Sequence, residues 1–84
     1  MIKILPLNSK ITAQIQKYSL TTKFSKQLQL LSQNPQHPSL RLELLEPKQQ
    51  GIYSFRIDLK FRALCLFRSD LQTIEILKIT VHYH

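Results

Sequence analysis

Apolar positions recur with two different periods along this chain, and the change of period near residue 40 divides it into a helical and a strand-forming part. "MIKILPL" is a short strand-like run ended by Pro6. "NSKITAQIQKYS" follows, with Asn8 or Ser9 placed to cap a helix and Ile11 and Ile15 on one of its faces. A second helix is predicted over "TTKFSKQLQLLSQ". Thr21 or Thr22 can cap it, Phe24, Leu28 and Leu31 form its apolar stripe, and Lys23 and Lys26 face solvent. "NPQHPS", with two prolines, stops that helix.

From Leu40 the pattern is that of strands. "LRLELLE" alternates loosely and ends at Pro47, and "KQQG" is a turn. "IYSFRID" puts Tyr53, Phe55 and Ile57 on one face and Ser54 and Arg56 on the other. Asp58-Leu59-Lys60 reads as a hairpin, "FRALCLFR" as the next strand and "SDLQ" as another turn. "TIEILKITVHY" is a long final strand with apolar residues at both parities (Ile74 and Ile76, then Leu77, Ile79 and Val81), the pattern of a strand covered on both sides. The expected architecture is one α+β domain over residues 1–84, with two N-terminal helices packed on a small, mainly antiparallel sheet.

Charge changes the picture more than composition does. Twelve Lys and Arg against five Asp and Glu give a formal charge of +7 on 84 residues, a field that attracts polyanions. The apolar fraction of 43% is that of a globular chain, which argues against global disorder. With one glycine, tight turns fall to Asn, Asp, Ser and Pro. Cys65 is the only cysteine, so no internal disulfide is possible, and its apolar neighbours mark it as a small buried hydrophobe. Neither a secretory signal nor a bilayer-spanning segment is legible, and a cytoplasmic protein without membrane contact is expected.

Several chemistries drop out. Gly51 stands alone, so there is no glycine-rich phosphate loop. His82-x-His84 is a weak metal pattern without a nearby carboxylate, and neither metal nor cofactor is expected. Nothing resembles a nucleophile elbow. What remains is a polar set in the second half: Glu43, Glu46, Arg56, Lys60, Arg62, His82 and Tyr83. RNA cleavage by its own 2′-hydroxyl needs a base, an acid and cationic donors on the phosphate, and Glu, His and Arg supply these. Each residue also has a plainer reading. Glu43 can pair with Arg41 or Lys60, the arginines can be surface charges, and His82 and Tyr83 can be packed in the strand. His37, between two prolines, reads as a turn residue.

"NPQHPSLRLELLEPKQQGIYSFRIDLKFRALCLF" followed by "IEILKITVHYH" resembles the RelE/ParE superfamily of toxin–antitoxin toxins over roughly residues 21–84. The features shared are an Asn-Pro-x-His-Pro-Ser-Leu turn after a helix, a Tyr-Ser-x-Arg-Ile strand, an arginine six residues on, and a final strand ending in histidine. The resemblance implies a β-α-α-β-β-β fold and, in the RelE-like and YoeB-like branches, a ribosome-dependent mRNA endoribonuclease held inactive by an antitoxin. It further implies Glu43 as general base, His82 as general acid with Tyr83 beside it, and Arg56 and Arg62 on the phosphate. Arg41, Lys48, Lys60, Arg68 and Lys78 would then contact ribosomal RNA and mRNA. Thr80 and Val81 stand where the YoeB-like branch has Arg and Tyr, Lys60 and Phe61 also differ from it, and His84 is an addition. Two other readings stay open: a ParE-like inhibitor that binds DNA gyrase without catalysis, and a basic binding domain without activity. All three imply a heteromeric complex with an antitoxin.

Overall fold

A computed structural model describes residues 2–68 and 72–81. Its elements are strand β1 (Lys3–Ile4), helices α1 (Ser9–Lys17) and α2 (Thr21–Gln33), and strands β2 (Glu43–Leu44), β3 (Ile52–Arg56), β4 (Phe61–Phe67) and β5 (Thr73–Val81). The sheet runs β1-β5-β4-β3-β2, parallel between β1 and β5 and antiparallel elsewhere. The expected helix pair on a mainly antiparallel sheet is therefore present, with four strands after the helices, as the alternation along the chain predicts.

Helix α1 begins where Asn8 Oδ1 accepts from the Ile11 amide at 2.8 Å. Asn8→Ala removes that acceptor and is expected to cost about 1 kcal/mol, read as a lower urea midpoint at unchanged slope. The helix ends without glycine. Ser19 takes the left-handed conformation (φ 55°), its amide donates to Gln16 O, and the Leu20 amide donates to Ile15 O at 2.8 Å. This is the Schellman arrangement, and the buried pair Ile15 and Leu20 supplies its apolar contact. Neither Thr21 nor Thr22 caps α2. Its N-cap is Leu20, which has no side-chain acceptor, because the Schellman turn already occupies that position.

Both helices pack on one face of the sheet. Ile11, Ile15, Phe24 and Leu31 meet Phe55, Ala63, Cys65, Ile74, Ile76 and Ile79 there, and Phe24 stacks on Phe55 at 6.4 Å. Burial pushes the Cys65 thiol up to about 12, so it behaves as a packed apolar group. The start of β1 is tied to the end of α2, since Ile2 N donates to Ser32 O and Ser32 Oγ donates back to Ile2 O.

The two parities of β5 do not reflect burial on both sides. Leu64 pairs with Lys78 but Cys65 pairs with Ile76, so Leu77 is an extra residue in a β-bulge. The bulge flips the alternation, and Ile74, Ile76 and Ile79 all reach the helix side. Between β3 and β4, Asp58 Oδ1 accepts from the Lys60 and Phe61 amides and Oδ2 pairs with Lys23. Burial raises the Asp58 carboxyl, but those two amides and Lys23 outweigh it and hold the group below its usual value.

Candidate functional site

The side chains facing away from the helices form two neighbouring cross-strand rows. Register places Glu43, Ser54, Leu64 and Lys78 in one row, and Arg56, Arg62 and Thr80 in the next. Arg56 and Arg62 are direct cross-strand partners. Like charges directly opposite one another destabilise a sheet, so the pair is an arrangement that an anion would relieve.

Arg62 is only 7% exposed, and its guanidinium is held on two sides. Nε donates to Ser54 Oγ at 3.0 Å, and Nη2 donates to Arg41 O at 2.7 Å and Ser54 O at 3.4 Å. Arg41 offers that carbonyl from a left-handed backbone (φ 46°, ψ 49°), which a residue with a Cβ adopts at a cost of about 1–2 kcal/mol. No hydrogen bond to Nη1 forms among the described residues, and no buried polar atom there lacks a partner, so Nη1 reaches accessible space. Burial lowers the Arg62 pKa, the Glu43 carboxylate raises it, and the charges of Arg56 and Arg41 lower it. A guanidinium stays protonated throughout.

Glu43, Ser54, Arg62, Leu64 and Thr80 line an open concavity of about 170 Å³. Among the described residues the ion pairs are Lys23–Asp58 and Arg68–Glu75, so Glu43 does not form the surface pair with Arg41 or Lys60 that its plainer reading allows. A larger hollow of about 440 Å³ lies elsewhere, on the helix side of the sheet, between Pro35, Leu42, Gly51, Tyr53 and Phe67. It holds none of the candidate groups, and size alone does not make it the site of chemistry.

The structure thus brings Glu43, Arg56 and Arg62 together, with Arg41 joined through its carbonyl and its charge. Lys78 shares a row with Glu43. Lys48 lies in the 3₁₀ turn before Gly51, Lys60 sits over the Phe61 ring at 5.5 Å, and Arg68 is paired with Glu75 at 2.7 Å. His82 and Tyr83 lie outside the described residues. His37 is a turn residue as predicted, its Nδ1 accepting from the Ser39 amide. Sequence reasoning missed Ser54 as a support for Arg62, although its shared parity with Arg56 was the available signal. It also missed Gln27, which is buried on the apolar stripe of α2 and donates to two carbonyls. Among the described residues no three His, Cys, Asp or Glu side chains gather to hold a metal, and no helix is long and apolar enough to cross a membrane.

No family model and no curated relative matches the chain. Solved structures do. The YoeB/ParE toxin from Agrobacterium tumefaciens superposes with a TM-score of 0.72 at 16% identity, covering 98% of this chain and all (100%) of that one. The chain has the YoeB/ParE toxin fold. A chain of the YoeB-YefM complex from Staphylococcus aureus agrees equally, with a TM-score of 0.71, 18% identity and 99% of each chain covered. A copper-bound mutant toxin from Helicobacter pylori gives 0.72 at 16% identity over 98% of this chain and 96% of that one. At these identities the shared property is the fold; in this chain the helix pair packs on one sheet face, and Glu43, Arg56 and Arg62 lie on the other.

Proposed function

We propose that the protein is the toxin of a toxin–antitoxin pair and cuts mRNA on the ribosome by acid–base chemistry. The observation that supports this most is the opposed pair Arg56 and Arg62 beside Glu43 on the sheet face opposite the helices. In this reading the guanidiniums hold the non-bridging oxygens of one phosphate, Arg62 through its unused Nη1 edge. Glu43 takes the proton of the ribose 2′-hydroxyl, and the 2′-oxygen attacks phosphorus. The bond to the 5′-oxygen breaks, His82 protonates the leaving oxygen, and Tyr83 packs against the substrate. The products are a 2′,3′-cyclic phosphate and a 5′-hydroxyl, and proton exchange with water resets both groups.

The charge of +7 supports binding to ribosomal RNA and mRNA backbone, with Arg41, Lys48, Lys60, Arg68 and Lys78 as contacts, and to an acidic antitoxin segment in the cytoplasm. Primer extension on cellular mRNA after induction tests the reading. Glu43→Gln and His82→Ala are each expected to lower cleavage by about 10²–10⁴-fold. Growth arrest with intact mRNA, together with loss of gyrase supercoiling in vitro, would instead establish the gyrase-binding alternative.

A further inference from the structure

Gln27 is the one polar member of the buried face of α2, between Phe24 and Leu31. Its Nε2 donates to Arg56 O at 2.7 Å and to Ser39 O at 3.2 Å. The opposite amide orientation would set Oε1 against two carbonyl oxygens, so the neighbours fix the amide as a donor. An apolar residue would suit the stripe better, since a buried amide is tolerated only while its hydrogen bonds are made.

Those two carbonyls belong to the segments that Arg62 grips from the other face of the sheet. Gln27 holds the turn before β2 at Ser39, and Arg62 holds it at Arg41. Gln27 holds β3 at Arg56, and Arg62 holds it at Ser54. The two segments are thus clamped together twice, from the helix side and from the open side. Without the inner clamp, the left-handed Arg41 is tied to the strand carrying Arg56 only by Arg62 and the short β2–β3 pairing, and the spacing of the Arg62 anchors loosens.

We infer that Gln27 is a positioning residue, which sets the spacing of Arg41, Arg56 and Arg62 from behind the sheet without touching the substrate. Its effect on cleavage rests on the ribonuclease reading above. Its effect on Arg62 does not.

Gln27→Met keeps the volume and removes both donors. In the folded variant, solvent exchange of the Arg62 Nε–H, followed by NMR, is expected to speed up at least about ten-fold, and kcat for mRNA cleavage to fall about ten-fold or more at nearly constant KM. Ile15→Val, a core change remote from the clamp, is the control and is expected to leave both quantities within about two-fold. Unchanged Arg62 exchange in folded Gln27→Met overturns the inference, as does an equal fall in kcat in a control of matched stability. If the variant does not fold, the side-chain amide of Gln27 in the unmodified protein decides. Protected amide protons support the clamp, and freely exchanging ones overturn it. A protein that cleaves no mRNA refutes the proposed function, while the Arg62 exchange comparison still judges Gln27.

Discussion

Arg62→Lys is expected to lower mRNA cleavage by about 10²–10³-fold, the cost of removing one preorganised donor from a developing oxyanion. The charge is kept, so the loss tests geometry. Arg62 uses Nε for Ser54 Oγ and Nη2 for Arg41 O, which leaves Nη1 accessible on a guanidinium held in a fixed plane. An ammonium group is a single point on a flexible stem and cannot serve two anchors and a phosphate together. Folding should survive with a loss of about 1–3 kcal/mol from the weakened bonds to Ser54 and Arg41. Cleavage assayed on programmed ribosomes, with urea unfolding in parallel, separates the two effects. Activity within three-fold of the unmodified protein would remove Arg62 from the phosphate site.

The second large effect is on stability. Phe55→Ala should cost about 3–5 kcal/mol, since Phe55 is fully buried on β3 and stacks on Phe24 of α2. At roughly 0.05–0.15 kcal/mol per residue, a domain of this length holds only about 4–13 kcal/mol in total. The variant therefore loses from about a quarter to all of that stability, and far-UV circular dichroism during urea titration would show the lowered midpoint. A midpoint shift equivalent to less than about 1 kcal/mol would mean that Phe55 is not central to the core.

The parts of this molecule that could be read from its residues are those whose pattern outlasts a single turn. Phe24 and Leu31 announce α2, and the alternation through Phe55 and Ile57 announces β3, because burial of one face imposes its period directly. The bulge was illegible for the opposite reason. One extra residue at Leu77 exchanges the parities of β5, and a changed parity looks like burial on both sides until the partner strand is known. The site shows the same division. Arg56 and Arg62 were visible as residue types, but their direct opposition depends on the register across the hairpin. Gln27 stood in plain sight as a polar break in an apolar stripe. Only the positions of Ser39 and Arg56, far from it along the chain, say what the break is for.

The pairing of β1 with β5 has a consequence for how the protein is made. Lys3 and Ile4 have as sheet partners Thr73 and Ile74, which follow both helices and three other strands along the chain. A nascent chain can assemble its helix pair early. Its sheet must wait for β5, which lies between β1 and β4 and brings Ile74, Ile76 and Ile79 to the core and Thr80 to the wall of the concavity. Such long-range closure is slow relative to local helix formation. The arginine cleft is thus completed only after β5 has been synthesised and seated, so a nascent chain that stops short of β5 lacks a finished site.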